Sequence, residues 1–484
     1  MAPFPASHTG NNISLGLDAM VEGLGLDGDQ WELFSVNDNA ANVKLGIKLS
    51  RHLKQYLCDI HTLELGVKDT FKKVSGMKAL LKKTKALAKF IHKSTVAASQ
   101  LQRAAVKENV PYKKLENPPN TRWSGRHANL SSVLHLKKPI QKLTSSKESW
   151  TPHALSPGEW KLLEGSVKLL KPIRDTIKAW EAEKEPTMHR VVERLYSMHC
   201  ILDDFIQNPT NNQYGVGFAR ELKKQIENRF PNKGTDNKFR RMANYLAPQF
   251  KGMHLELEDK LDTAKNDIKE EVNKIDMAHI QSPAEIQNPE SNQVPEVTLS
   301  PNTKLRMRMK QRNHRMMTLN IDDLLSPLDR EMKRYESFSI ADKHINILKW
   351  WRDHESILPL LSKVAKKVLT IPASSSKSER IFSTGGNFVT KKRSRLAAKK
   401  VEDLILIKEN KLQIQEFKDN GGYDIKMIDS KPFSMIEVDE VIANIVNDEI
   451  DSDMFASDSE DSEDSEEEEE EDELEDDYDS DVCE

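Results

Sequence analysis

The organisation of the chain is set by residues 358–410, LPLLSKVAKKVLTIPASSSKSERIFSTGGNFVTKKRSRLAAKKVEDLILIKEN. Apolar residues first recur at helical spacing, which predicts a helix with one buried face. Pro372 ends that helix, because proline lacks an N–H and disfavours helix at the preceding residue. Ser374–Ser376 can cap a second helix that enters at Lys377. A third apolar face follows around Leu404, so the pattern predicts buried helical hairpins.

Three motifs in this stretch resemble the C-terminal dimerisation region of hAT-superfamily transposases, the hobo and Activator type. They are PASSSKSERIFS at 372–383, KRSRL at 392–396 and EN at 409–410. The tryptophans just upstream match the family as well. The resemblance implies a homodimer or a higher homo-oligomer. The dimerisation residues expected from it are Trp350, Trp351, Leu360, Leu361, Val364, Val368 and Phe382.

Net charge divides the chain into a basic body and an acidic tail. The 484 residues are enough for two or three domains. Residues 448–484 contain 23 of the 77 acidic residues and no Lys or Arg. The remainder therefore has 72 basic against 54 acidic residues, a net charge of +18. Such a body suits a polyanion such as DNA, and a merely solvated charged surface is the alternative.

The tail itself should be disordered, because like charges at this density repel and cannot bury a core. It could also bind histones or other basic proteins, which is a separate hypothesis for the function. The three cysteines, Cys58, Cys200 and Cys483, are too scattered for a disulfide framework and favour a reducing compartment. No secretory signal and no apolar run long enough for a membrane span are expected. With DNA as a partner, the expected location is the nucleus.

The N-terminal part predicts a helix over Ile13–Gly23, a short strand over Trp31–Val36 and a helix over Val43–Leu53. Asp38 follows the strand directly. An aspartate at a strand end can bind a metal ion, but an aspartate in a turn or at a helix start is the more common structure. The residues alone do not decide between metal binding and a turn position for Asp38.

The hAT resemblance gives Asp38 a specific role. Residues 38–42, DNAAN, resemble the family's DNAxN motif, whose aspartate is the second acidic residue of an RNase H-like catalytic triad. By the same resemblance Glu379 is the third. Strand transfer in this class uses two metal ions held by carboxylates, so Mg²⁺ or Mn²⁺ is expected only if the protein is catalytic, and otherwise no cofactor. Cys58 and His61 match the family's CxxH motif and are expected to be structural, since one Cys and one His make half a zinc site.

The first aspartate of the triad should lie on a strand upstream of His8. Asp18, Asp27 and Asp29 fall in a helix or a turn instead. The chain is therefore expected to lack one catalytic ligand, the opening strands of the sheet and the family's zinc-finger DNA-binding domain. The leading hypothesis is a non-catalytic, dimerising, transposase-derived protein that binds DNA non-specifically. The alternative is an active DDE-type transposase whose N-terminal part is missing from this sequence.

The middle of the chain is predicted to be helical, with helices at Trp160–Thr176, Met188–Phe205, Gly217–Phe230 and Asn237–Leu246. Residues 62–108 combine an apolar side with a basic one, and the eight lysines from Lys72 to Lys93 form either a solvated face or a surface for DNA phosphates. Arg122 and Trp123 belong to a TRW motif that opens the family's helical insertion domain. The resemblance implies DNA contact for both, with Trp123 stacking on a base, while a place in the core is the alternative for Trp123.

The predicted fold class is α/β and mostly helical, with an incomplete RNase H-like core interrupted by a large all-helical insertion. Four divisions of the chain are expected. They are a partial RNase H-like core at 1–115, the helical insertion at 116–335 with a disordered linker at about 281–302, the hAT dimerisation region completing the core at 336–415, and a C-terminal extension at 416–484 with the tail from about 448.

Overall fold

The computed structural model describes residues 7–26, 32–38, 40–117, 123–279, 325–389 and 398–419. This part of the chain is mostly helical, which confirms the helical content that the sequence predicted. It divides into two compact units, Ala2–Arg380 and Ile381–Glu484. The expected linker at 281–302 and the acidic tail lie outside the described residues. No described helix is long and apolar enough to cross a membrane.

A parallel pair of strands lies near the start of the first unit. β1 (Leu33–Asn37) and β2 (Leu53–Leu57) pair with Leu33 opposite Leu53 and Asn37 opposite Leu57. The helices α1 (Gly10–Gly23) and α2 (Ala41–Leu49) pack on each other, and α2 makes the crossover that parallel strands require. The described part of 336–415 adds helices and no strand to this pair, so an RNase H-like core stays a prediction.

The prediction that the second helix runs through Leu53 is wrong at the C-terminal end. α2 ends at Leu49, and Leu53 begins β2. The cause is a tertiary contact with α1. The buried Asp18 carboxylate accepts hydrogen bonds from Ser50 Oγ at 2.5 Å and from the Arg51 N–H at 3.2 Å, which holds the chain in a turn.

The long helical stretch predicted over 62–108 consists of three helices, α3 (Asp59–Lys73), α4 (Met77–Lys93) and α5 (Thr95–Lys107). Gly76, at φ +79°, separates the first two, a left-handed conformation that glycine adopts without strain. Ser94 separates the others and caps α5 by accepting the Ala97 N–H at 3.1 Å.

The next part of the first unit is a helical domain. It contains α6 (Trp123–His135), α7 (Lys137–Ser146), a 3₁₀ turn at Glu148–His153, α8 (Pro157–Trp180), α9 (Arg190–Gln207) and α10 (Gln213–Arg229). Ser156 and Glu159 form a capping box at the start of α8. The helices α8 and α10 cross so closely that a Cβ on Gly165 would lie 2.5 Å from the Gly215 Cα.

The remaining helices of this unit share one core. They are α11 (Lys238–Tyr245), α12 (Met253–Glu256), α13 (Leu261–His279), α14 (Pro327–Ser337), α15 (Ile347–Asp353) and α16 (Pro359–Leu369). The Tyr335 hydroxyl donates to the Tyr245 carbonyl at 2.9 Å, and Trp351 Nε1 donates to the Leu246 carbonyl at 2.9 Å. These bonds join helices that are about a hundred residues apart in sequence.

The second unit contains the end of α17 (Ser376–Phe388), which begins in the first unit, and α18 (Ala398–Asp419). The helix start predicted at Ser374–Ser376 agrees with the start of α17 within one residue. The sequence between these helices, including KRSRL, lies outside the described residues.

Candidate functional site

Asp38 lies directly after the carboxyl end of β1. Its side chain is exposed, and Oδ1 accepts the Ala40 N–H at 3.3 Å, which shapes the turn into α2. The Cys58 N–H donates to the Asn37 carbonyl at 2.8 Å and brings the end of β2 alongside. Asn39 of the DNAAN motif lies outside the described residues.

A segment from the far end of the unit docks at the carboxyl ends of these strands. The Asp59 N–H donates to the Ala373 carbonyl at 2.9 Å, and the Ser375 N–H lies 3.5 Å from Cys58 Sγ. The Ala373 N–H donates to Thr187 Oγ1 at 2.9 Å. The chain that leads into α17 is thereby fixed against the start of α3 and against the connection that precedes α9.

Glu379 lies in the first turn of α17, four residues after Ser375. It is exposed, and Ser375 Oγ donates to its Oε1 at 3.2 Å. The neighbouring Arg380 donates through Nε to Glu183 Oε1 at 2.8 Å. The fold therefore brings the Glu379 segment to the strand end that Asp38 follows, although the two residues are 341 positions apart in sequence. Among the described residues, no group of three or more His, Cys, Asp or Glu is placed to hold a metal ion. The catalytic and metal-binding roles of Asp38 and Glu379 stay predictions.

Cys58 acts as the N-cap of α3. Its Sγ accepts the His61 N–H at 3.4 Å, and the side chain is 1 % exposed. Burial raises the pKa of the Cys58 thiol, which disfavours the thiolate that zinc would need. Cys58 thus caps α3 through the backbone N–H of His61, and a structural role for the His61 side chain stays a prediction.

A buried ionic group next to this cap was not found from the sequence. Asp59 is fully buried, accepts from the Tyr56 hydroxyl at 2.8 Å and forms an ion pair with Arg240 of α11. Arg240 Nε also donates to the Tyr56 hydroxyl at 3.1 Å. Burial alone would lower the pKa of Arg240, but Asp59 and Tyr56 raise it above its ordinary value, so the guanidinium stays charged. The one local indication of this ion pair is that Asp59 lies two residues after a strand. Its partner Arg240 lies 181 residues away in sequence, so the pair could not be predicted locally.

The TRW motif is only partly described. Arg122 lies outside the described residues, and α6 begins at Trp123, whose side chain is likewise outside them. DNA contact by either residue stays a prediction.

The expected dimerisation residues lie mostly inside the chain's own core. Leu361, Val364 and Val368 are fully buried, and Trp351 is 4 % exposed. Trp350 and Leu360 are half-buried against the same core. The structure thus places six of the seven residues in or against the chain's own core, and their role in dimerisation stays a prediction. Of the seven, only Phe382, at 61 %, is largely exposed.

A basic face runs along α4. Lys78, Lys82, Lys85, Lys89 and Lys93 recur every three or four residues and therefore lie on one side of the helix, and this set is called the lysine face. The opposite side, with Leu80, Leu87 and Ile91, is buried. The helix contains no Asp or Glu.

Two family models match parts of the chain. The hAT family C-terminal dimerisation region matches residues 328–411, and the ZBED1 RNase-like helical domain matches residues 57–183. The second match begins at the end of β2 and includes the cap at Cys58, α4 and all of α8. The first covers α14 to α17 and more than half of α18.

Curated plant proteins are similar over longer stretches. The maize protein named "Putative AC transposase" is 24% identical over 375 residues, which is 73% of this chain and 43% of that protein. The rice (Oryza sativa subsp. japonica) Zinc finger BED domain-containing protein RICESLEEPER 2 is 24% identical over 407 residues, 79% of this chain and 55% of that protein. Maize "Putative AC9 transposase" is 39% identical over 82 residues, 16% of this chain and 10% of that protein.

The chain spans about half the length of the first and second of these relatives. Both family models agree with the order of motifs along the chain, and the dimerisation region suggests homo-oligomerisation. The chain is therefore a homologue of the AC transposases and ZBED proteins of plants, and it carries the C-terminal dimerisation region of the hAT family.

Proposed function

We propose that this transposase-derived protein binds the DNA backbone non-specifically, as a homo-oligomer, through the lysine face of α4. The observation that carries the proposal is that four of the five lysines of this face form no ion pair within the described part of the chain. Lys78, Lys82, Lys89 and Lys93 are exposed, and none of them forms an ion pair within the described part of the chain. Lys83, which lies off the face, is instead paired with Glu159 at 2.8 Å.

The dimensions of the lysine face suit a duplex. From Lys78 to Lys93 the helix rises about 22 Å, at 1.5 Å per residue. Phosphates follow one another every 3.4 Å along each strand, so the face is about six phosphates long. Lysine binds phosphate as a point charge and carries no base-specific geometry, which is why the proposed binding is independent of sequence. The proposal implies a nuclear location.

Removing the four exposed charges of the lysine face should reduce the salt dependence of DNA binding. In the variant Lys78→Gln, Lys82→Gln, Lys89→Gln and Lys93→Gln, the slope of log K against log salt should fall by about 3 to 4, since each phosphate contact contributes about 0.9. Glutamine is a good helix former, so α4 should be retained. Fluorescence anisotropy of a labelled duplex over a salt series measures the slope.

The matched control removes the same charge elsewhere in the first unit, with Lys→Gln at exposed Lys224, Lys343, Lys349 and Lys363. Its slope should stay close to that of the unchanged protein. An equal reduction of the salt slope in both variants would mean that net charge, and not the lysine face, determines DNA binding. An unchanged protein that binds no duplex at low salt would contradict the proposed function altogether.

We also propose that Asp38 and Glu379 are the remnant of a catalytic set. Both lie toward the same strand end, which supports a shared origin, but two carboxylates offer few oxygen ligands for a pair of Mg²⁺ or Mn²⁺ ions. The protein should leave a supercoiled plasmid uncut in the presence of either ion. Metal-dependent nicking that is lost in both Asp38→Asn and Glu379→Gln would support the alternative, an active transposase, and would refute the non-catalytic role.

A further inference from the structure

A strongly basic segment and a strongly acidic segment belong to the same chain. Residues 70–107, which include α4 and α5, contain ten Lys and Arg and no Asp or Glu. The acidic tail, residues 448–484, contains 23 Asp and Glu and no Lys or Arg. Segments of opposite sign attract each other when no other charges neutralise them first. The contacts of the basic segment in the fold therefore decide how much of its charge is available.

The lysine face keeps its charge in the folded first unit. Its four exposed lysines form no ion pair within the described part of the chain. Asp69, the acidic residue that precedes the basic segment, is paired with Arg229. Glu108, the one that follows it, is paired with Lys142 at 3.3 Å. Neither flanking carboxylate therefore neutralises the lysine face.

The acidic tail contains an uninterrupted series of eight acidic residues, EEEEEEDE at 466–473, here called the acidic run. An extended chain advances about 3.3 Å per residue, so the run can span roughly 26 Å with one carboxylate per step. A DNA strand carries one phosphate about every 3.4 Å, and the lysine face is about 22 Å long. The acidic run therefore matches, in length and in linear charge density, the DNA strand that the lysine face is proposed to bind.

We propose that the acidic run occupies the lysine face when DNA is absent and competes with DNA for it. This inference rests on the proposed function and adds a competitor within the same chain. The chain is long enough for the contact. The 46 residues at 420–465, between α18 and the acidic run, can span at most about 150 Å. A compact unit the size of Ala2–Arg380 is on the order of 55 Å across, so the run can reach α4 from any point on its surface.

Tethering makes even a weak contact effective. A tethered segment acts at an effective concentration on the order of 1 mM. With a dissociation constant of about 0.1 mM, the weak end of non-specific DNA binding, the acidic run would occupy the lysine face in about nine molecules of ten. DNA must then displace the run, which lowers its apparent affinity about ten-fold. Salt screens the contact, so the inhibition should fade as the salt concentration rises.

The test is the affinity of the full chain for a labelled duplex at low salt, measured by fluorescence anisotropy. The neutral-run variant replaces the seven glutamates of the acidic run, Glu→Gln at 466–471 and 473. It should bind DNA about ten-fold more tightly than the unchanged protein, because the competitor is removed. The lysine face is free in this variant, so the difference in salt slope of about 3 to 4 that the four Lys→Gln changes cause should appear there in full.

A matched control removes the same number of acidic charges from exposed positions of the first unit. The changes are Glu148→Gln, Asp204→Asn, Glu256→Gln, Asp259→Asn, Asp262→Asn, Asp353→Asn and Glu355→Gln. This control should bind DNA much like the unchanged protein. An equal gain in the control and in the neutral-run variant would show that net charge alone limits DNA binding, and would overturn the proposal.

The site of competition is located by combining variants. In a protein that already carries the four Lys→Gln changes of the lysine face, the neutral run should bring little further gain, because the acidic run has lost its binding site. In the Lys→Gln control at Lys224, Lys343, Lys349 and Lys363, the ten-fold gain should persist. A gain that persists in the lysine-face variant would mean that the acidic run acts elsewhere, and the proposal would be wrong.

A measurement without DNA separates this proposal from the proposed function. A fluorescent peptide with the sequence of residues 457–484 should bind the neutral-run protein with a dissociation constant of about 0.1 mM, and should not bind when the lysine face is also changed to glutamine. If the neutral-run protein binds this peptide but no duplex, the proposed function fails and the internal contact stands. If it binds the duplex but not the peptide, and the neutral run brings no gain in affinity, DNA binding stands and the internal competitor is refuted.

Discussion

Replacing Arg240 with methionine should lower the free energy of unfolding by about 3–5 kcal/mol, the usual cost of removing one partner of a buried ion pair. The Asp59 carboxylate is fully buried and would keep only the Tyr56 hydroxyl as a partner. The guanidinium also lies over the Phe230 ring, 5.0 Å from its centre, so its stem is part of the packing. Urea unfolding followed by far-UV circular dichroism measures the loss.

A double variant separates lost pairing from lost packing. Asp59→Asn together with Arg240→Met removes both charges and should be more stable than Arg240→Met alone, since no unpaired charge stays buried. Arg229→Met is the matched control, because Arg229 pairs with Asp69 at side chains that are 22 % and 28 % exposed. It should cost no more than about 1 kcal/mol. Equal costs for the two single variants would mean that the Asp59–Arg240 pair is no more important than a surface pair.

Acid should destabilise the protein steeply, and His189 should account for much of the effect. The side chain is 2 % exposed, and its Nδ1 has no hydrogen-bond partner within the described part of the chain. Burial, with Arg190 nearby, lowers the pKa of His189 to about 3 from an ordinary value of 6.5. The unfolded chain therefore takes up the proton first as the pH falls. The contribution of His189 to the free energy of unfolding is therefore fully present above pH 6.5. It declines as the pH falls toward 3, by at most about 1.4 kcal/mol per pH unit.

The variant His189→Gln should reduce that slope by about the same 1.4 kcal/mol per unit between pH 6 and 4. Its stability is compared with its own value at neutral pH, so any packing loss cancels. Burial and Arg174 lower the pKa of His127 to about 4, so part of the acid sensitivity should persist in the variant. His344→Gln, at an exposed position, is the matched control for replacing a histidine by glutamine. A His189→Gln protein with the full slope would show that His189 is protonated readily in the folded state.

Helical periodicity predicted the helices of the middle domain well, because each of them buries one face of its own. The expected helix at Trp160–Thr176 is the central part of α8 (Pro157–Trp180), and Met188–Phe205 agrees with α9 (Arg190–Gln207) within two residues at each end. β2 was missed for the opposite reason. It is five residues long, and only Tyr56 is deeply buried, so its local pattern is weak and its pairing with β1 decides its conformation.

The site was predictable only where a motif marked it. Asp38 and Glu379 were predicted because they lie in motifs that resemble those of the family. The segment at 373–375, which connects the end of the strands to the Glu379 helix, depends on contacts between residues hundreds of positions apart. No motif in the sequence indicated the pairing of Asp59 with Arg240. Periodicity also showed correctly that Leu361, Val364 and Val368 are buried, but an apolar face does not say what covers it. In this fold the face is covered by α11, α13 and α14 of the same chain.

The docked segment at 373–375 is made long after the residues that it contacts. Its contacts with Thr187, Trp180 and Cys58 span 186, 194 and 317 residues of chain. At about 5–20 residues per second, the ribosome needs roughly 15–60 s to travel from Cys58 to Ser375. Throughout that interval the buried Asp59 N–H lacks its acceptor. The strand ends therefore gain these contacts only after the late segment has been made, and a product released before residue 370 would lack them.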